Sequence, residues 1–346
     1  MALTREQILA FRRRAGALDE RLPPGPESLR QAAWAGLQDS MPRAAVLSLH
    51  ARVEGIGPMA WEDPAFVQVW GPRYQTYVVP AADIAVFTLG RWPDTQKQVA
   101  RAEAAAERLR RHLAGQAMAY DDAGAALDVH PGSLRYATTT GTVAIRWDGA
   151  RRPVVWTVPR PDVDPIAAQL ELARRYLHVY GPTTPAAFAK WAGISRKAGI
   201  AAFAGLGAEL AAVRTPLGDA SILAADEAAF RADPGPPAPA RLLPSGDTFF
   251  LLHGDDRALL VPDAARRVEL WTPRVWPGAV LVDGEVRGVW RRAHDIVTIE
   301  TWGKLQRTAL DAVEAEAVGL PIPGAEAIVV RFSHLKGTVI EPGSRR

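Results

Sequence analysis

Phe66-Val67-Gln68-Val69-Trp70, Gly71-Pro72-Arg73 and Thr76-Tyr77-Val78-Val79 read as two β-rich runs around a Gly-Pro turn, the pattern of a hairpin. What precedes the hairpin decides its meaning. Thr4, with Glu6 and Gln7 behind it, is a capping-type opening for a helix to about Gly16. A second helix is expected over 27–37 and a third after Pro42, where the missing proline donor costs nothing. Three helices and a hairpin make one unit.

The same order recurs twice. After Arg91-Trp92-Pro93-Asp94, a helix over 95–113, a short one following Tyr120-Asp121-Asp122 and a third candidate from His130-Pro131-Gly132 are expected. Runs at 143–147 and 154–158 then flank Asp148-Gly149-Ala150-Arg151-Arg152, a hairpin turn with a basic tip. After Val158-Pro159-Arg160-Pro161, helices open at Asp164, at Gly181-Pro182-Thr183-Thr184-Pro185 and at Ser195-Arg196-Lys197. Runs at 210–213 and 220–223 follow, split by Pro216-Leu217-Gly218-Asp219. Helix, helix, helix, hairpin, three times over, is the layout of tandem winged helices; the repeat lies in the order of elements, with little residue identity between copies. Pro234-Gly235-Pro236-Pro237-Ala238-Pro239 removes backbone donors and fixes φ, which excludes helix and central strand and predicts a stiff linker. Beyond it, short runs at 248–252, 259–261, 267–271, 278–282, 286–291, 296–301 and 327–332 predict a small barrel or sandwich, with a helix over 303–319 before the last strand. The expected fold class is therefore α+β: three tandem winged-helix domains over 1–92, 93–162 and 163–233, then a C-terminal small β-barrel over 240–340.

Composition narrows the function classes. The 346 residues, 48% hydrophobic and 23% charged, describe an ordinary globular chain too long for one simple core. The absence of cysteine excludes disulfides, zinc fingers and thiol nucleophiles. Met1-Ala2-Leu3-Thr4-Arg5-Glu6-Gln7 lacks the apolar run of a signal peptide, and no stretch approaches the roughly 20 apolar residues that span a bilayer. A cytoplasmic, nucleoid-associated monomer with no membrane partner is expected. Forty-one basic and 38 acidic residues leave a net charge of +3, a mild bias compatible with nucleic acid and with many other enzymes. The seven histidines show no metal spacing and Asp121-Asp122 reads as a helix-start pair, so neither metal nor cofactor is expected. The eleven tryptophans fall mostly on strands or amphipathic helices, which points to core packing rather than base stacking.

Trp34-Ala-Gly-Leu-Gln-Asp-Ser-Met-Pro-Arg-Ala-Ala-Val-Leu-Ser-Leu-His50 resembles the bacterial AlkZ/YcaQ winged-helix family, which carries Gly-apolar-Gln-x-(Gln or Asp)-x-Pro-Arg-Ala at this point. The likeness continues through Trp61-Glu62-Asp63-Pro64, Thr76 to Asp83, Tyr180 to Pro185, Arg241 to Thr248 and Trp290-Arg291-Arg292, in order over nearly the whole chain. The resemblance implies three winged helices with a C-terminal β-barrel, and a DNA glycosylase that acts on alkylated or crosslinked bases in duplex DNA. It also implies a catalytic motif, Gln or His, an apolar residue, then Gln or Asp, at Gln38, Asp39 and Ser40. Gln38 fits. Ser40 departs from the second position, and Asp39 stands where an apolar residue is usual.

Alkylation at purine N7 or N3 makes the base cationic and a better leaving group, so the protein chiefly positions a water near the anomeric carbon. Asp39, if its loop turns inward, supplies a base for that water or a charge for the oxocarbenium, with Gln38 fixing the water; Ser40 can only orient it. The alternative is that Asp39 or Ser40 caps the next helix, Gln38 is a buried hydrogen-bonding residue, and the protein is a structural or regulatory DNA binder without catalysis. For duplex contacts, Arg43, His50 and Arg52 lie on the third helix, with Arg43 and His50 seven apart on one face. Arg151 and Arg152 hold a wing tip suited to a minor groove, and Arg196 and Lys197 open a helix whose N-terminus favours phosphate.

Overall fold

The computed structural model describes residues 1–41, 43–149, 151–334 and 338–340. Pro42, expected to open the third helix, Ala150, at the expected hairpin tip, and 335–337 of the C-terminal module lie outside the described residues.

Thr4 and Gln7 form a reciprocal capping box at the start of α1 (Arg5–Ala15). α2 (Pro26–Ala32) ends well before residue 37, where the sequence suggested it would stop. Gly36 sits at φ +72°, and a Cβ there would lie 2.9 Å from Phe87; the chain turns at this glycine and Leu37–Gln38 become the strand β1 instead. Next come α3 (Ala44–His50), β2 (Phe66–Trp70), β3 (Thr76–Pro80) and α4 (Ile84–Thr88). The second segment supplies α5 (Gln96–Leu113), β4 (Met118–Ala119), α6 (Tyr120–Ala126), β5 (Val143–Arg146) and β6 (Val154–Thr157). Its third helical candidate is a 3-10 run, Pro131–Thr140. In the third segment Asp164, Thr184 and Ser195 cap α7 (Pro165–Tyr180), α8 (Pro185–Ala192) and α9 (Arg196–Leu206). The hairpin β7 (Leu210–Thr215) and β8 (Gly218–Leu223) and a short α10 (Glu227–Arg231) close it.

The hairpins of the first two segments do not stand apart. They join in one six-stranded sheet of order β1-β3-β2-β5-β6-β4, with Gln68 opposite Ile145 at the seam, while β7 and β8 form their own two-stranded sheet. Alternation along the strands divides the first sheet into two faces. Leu37, Phe66 and Val78 pack with Leu29, Ala45 and Leu49 beneath α2 and α3. Val69, Tyr77 and Val79 point the other way, into a core shared with Trp191, Leu243 and Phe250.

The segment 234–239 is coil, and Arg14 donates to the carbonyls of Asp233 and Pro234. After β9 (Ala240–Leu243), three of the expected strands are absent. Residues 248–252 form a turn in which Asp247 Oδ1 accepts from Phe249 N–H, and the other two runs are helical, α11 (Asp256–Leu260) and α12 (Ala264–Leu270), the latter capped by Asp263. A short apolar run buries equally well as strand or helix, and at α12 the Asp263 cap favours the helix. β10 (Gly278–Val282), β11 (Glu285–Ala293), β12 (Ile296–Thr301), α13 (Arg307–Val318), β13 (Val329–His334) and β14 (Thr338–Ile340) complete the described elements. The second sheet has the order β14-β13-β12-β11-β10-β9, and α13 makes the crossover between the parallel pair β12 and β13. Among the described residues no pairing joins β9 to β14, so the sheet is open where a closed barrel was expected. Val313 and Ala317 of α13 cover its face over Leu242, Val280 and Val297. The fold is mixed α+β, and no helix among the described residues is long and apolar enough to cross a membrane.

Candidate active site

The strand β1 and its continuation through Ser40 carry the three residues of interest, and neighbours on an extended chain point to opposite faces. Gln38 pairs with Tyr77, and Asp39 N–H donates to the Thr76 carbonyl at 2.8 Å. Asp39 consequently turns under the sheet, where it is fully buried. Its Oδ1 accepts from Ala45 N–H in the first turn of α3 at 3.0 Å, and its Oδ2 accepts from Gln68 Nε2 at 3.0 Å. Gln68 Oε1 accepts from Trp147 N–H, and Arg43 donates to the Trp147 carbonyl at 2.7 Å. Arg43 also stacks 3.7 Å over the Trp61 ring and stands 3.7 Å from Asp39 Oδ2. Asp39 thus caps α3 and ties the first hairpin to the strand beside it. Burial, against the pull of Ala45 N–H and Arg43, pushes its carboxyl up to about 6.

Gln38 and Ser40 occupy the other face, half-buried and together. Arg73 Nη2 donates to Gln38 Oε1 at 3.0 Å, and Arg73 Nη1 lies 2.7 Å from His253 Nε2. Arginine only donates, so the amide oxygen of Gln38 and an unprotonated nitrogen of His253 must face it. Burial and then the Arg73 charge pull His253 down to about 4, in keeping with a neutral ring. Ser40 Oγ donates to Gln75 Oε1 at 3.1 Å. Gly246 covers Gln38 closely, for a Cβ there would lie 3.1 Å from Gln38 Nε2. Met41 and Ser245, the chain neighbours of Ser40 and Gly246, line a cavity of about 210 Å³ with Trp276, Trp290 and Arg291. The structure therefore brings Gln38 and Ser40 to one site and turns Asp39 away from it. Arg73, Gln75, Gly246 and His253 escaped sequence reasoning. With a helix read to residue 37 and a loop from there to Pro42, the register that sets Ser40 opposite Gln75 was invisible.

The residues expected to meet DNA divide sharply. Arg43, Arg52 and His50 are not on an outward face: Arg43 is held between the Trp61 ring and the Trp147 carbonyl, while the C-terminal module covers Arg52 and His50. Arg52 is 1% exposed and grips both carboxylate oxygens of Asp247, at 2.7 and 2.8 Å, together with the Ser48 carbonyl and Thr248 Oγ1. His50 is wedged near Gly319 at the end of α13, and burial pulls it down to about 4. These interior groups hold modules together rather than presenting charge. Arg151 and Arg152 are exposed between β5 and β6, with Arg152 3.2 Å from Asp121. Arg196 and Lys197 are exposed in the first turn of α9.

A search of curated proteins gives no match. Among solved structures, the Streptomyces sahachiroi DNA glycosylase AlkZ superposes with a TM-score of 0.75 over 96% of this chain and 100% of that chain, at 19% identity, which is a likeness of fold. The model of the family described as DNA glycosylase AlkZ-like matches residues 32–320, from just before β1 to just past α13, and so includes every residue of the site. The chain belongs to the AlkZ-like DNA glycosylase family.

Proposed function

We propose that this protein hydrolyses the N-glycosidic bond of alkylated purines, or of interstrand crosslinks, in duplex DNA, with Gln38 and Ser40 holding the attacking water. The observation that carries this reading is their placement on one half-open face, each with one side of its hydrogen-bonding capacity already engaged. Gln38 Oε1 is held by Arg73, which leaves Nε2–H to donate to the water oxygen. Ser40 has spent its proton on Gln75, which leaves its lone pairs to accept from the water. An N7- or N3-alkylpurine leaves as a neutral base with the bonding electron pair. Water then adds to the oxocarbenium carbon and releases its proton to solvent, so no strong base is required. Asp39 serves the architecture.

In this reading the three segments over 1–92, 93–162 and 163–233 act as winged-helix units, and the module over 240–340 roofs the site. Arg151 and Arg152 on the β5–β6 loop, and Arg196 and Lys197 at α9, meet phosphates of the duplex. The protein works as a monomer at the nucleoid, in the cytoplasm. Single-turnover incubation with duplexes containing N7-alkylguanine, N3-alkyladenine or a crosslink should release free base. Ser40, where the family pattern carries Gln or Asp, favours a second reading, a binder that has kept the fold; duplex binding with no base released from any of these substrates would establish it.

A further inference from the structure

The turn between β2 and β3 has no glycine where its backbone asks for one. Arg73 and Tyr74 are consecutive non-glycine residues in the left-handed region, at φ 55° and 57°, a conformation in which the Cβ crowds the neighbouring carbonyl oxygen. The surroundings hold them there. Tyr74 N–H donates to the Gly71 carbonyl and Gln75 N–H to that of Pro72. The Arg91 guanidinium lies 4.6 Å from the Tyr74 ring centroid, and a Cβ on Gly193 would come within 2.9 Å of Arg73 N. Strain maintained from several sides is a reason to ask what the turn delivers. It delivers two side chains to the Gln38 face: Arg73 to Gln38 and Gln75 to Ser40.

We infer that this turn, through Arg73 and Gln75, is the positioning element that makes Gln38 a donor and Ser40 an acceptor toward the substrate water. The inference rests on the glycosylase reading above. A free glutamine amide can present either end, and a free serine hydroxyl can donate or accept. Arg73, which has no acceptor, compels Gln38 to turn its oxygen inward. Gln75 Oε1 takes the single Ser40 proton. A water between the two then receives one hydrogen bond and gives one, and its remaining lone pair has a fixed direction. Arg73 and Gln75 act through Gln38 and Ser40, without touching the reacting atoms.

The test is a pair of double-mutant cycles on single-turnover release of N7-methylguanine from a duplex, with duplex Kd measured alongside. Gln75→Ala should slow release about 10- to 100-fold with Kd unchanged, the scale of loss when a reacting group is misplaced. In a Ser40→Ala background it should cost nothing further. Arg73→Met should behave likewise against Gln38→Ala. Gln75→Glu, which keeps an oxygen for Ser40, should release base within a few-fold of wild type; this variant guards against a loss that merely reflects poor folding. Equal costs of Gln75→Ala with and without Ser40, or full activity of Gln75→Ala, would overturn the inference while leaving the glycosylase reading intact. Absence of release by wild type would overturn both.

Discussion

Replacing Asp39 by Asn separates architecture from chemistry. The asparagine keeps an oxygen for Ala45 N–H, so the cap on α3 survives. It loses the second acceptor, which leaves Gln68 Nε2 with the Trp147 carbonyl at 3.2 Å, and the loss of one buried acceptor costs about 1–3 kcal/mol. A compensating effect depends on pH. The folded carboxyl titrates at about 6 against 3.8 for the ordinary group, a difference worth about 3 kcal/mol. Because the folded value is the higher one, the stability contributed by protonated Asp39 is fully present below 3.8 and is lost as pH rises through about 6. The variant has nothing to titrate there. Its deficit relative to wild type should therefore be largest near pH 4 and shrink by about 3 kcal/mol by pH 7.5. Urea unfolding followed by tryptophan fluorescence reads this directly. Base release by folded Asp39→Asn should stay within about tenfold of wild type, since a group on the opposite face has no path to the water. A loss of 10²–10⁴-fold, the scale of general-base help, in a variant of unchanged stability would refute the assignment of faces.

Other perturbations probe the same frame. Arg52→Met strands Asp247 as a buried charge with Ser48 and Phe249 N–H as partners; chemical unfolding should show a loss of about 3–5 kcal/mol, and a loss below 1 kcal/mol would show that the pair does not tie α3 to the C-terminal module. Gly246→Ala sets a methyl 3.1 Å from Gln38 Nε2 at a backbone φ of +81°, so release should slow about 10- to 100-fold with duplex affinity preserved; an unaltered rate would argue that Gln38 is not confined there. Arg151→Ala with Arg152→Ala should weaken binding to all duplex sequences alike and reduce the salt slope by about 2. A slope that does not move would remove this loop from the interface.

Much of the fold could be read from local signals, because those signals were caps and alternation. Thr4, Asp164, Thr184 and Ser195 open helices where their side chains predicted, and the 66–70 and 76–79 runs form the hairpin that their Gly-Pro turn announced. What could not be read depended on distant partners. Leu37–Gln38 follow a helical pattern and become a strand because β3 pairs with them and Gly36 turns the chain after α2 has ended. That single reassignment separates Gln38 from Asp39. Arg52 looked like a solvent-facing charge because Asp247 lies 195 residues away, and the runs at 259–261 and 267–271 were short enough for either structure.

Gln38 and Ser40, not Asp39, are proposed to hold the reacting water. The most direct test is the single-turnover rate of N7-methylguanine release from a duplex for wild type, Gln38→Ala and Asp39→Asn, at saturating protein and pH 7.5. The expected result is release by wild type, a loss of at least about 100-fold in Gln38→Ala with duplex binding retained, and near-normal release by Asp39→Asn. Release that survives Gln38→Ala, or vanishes with Asp39→Asn while the fold is intact, would contradict it.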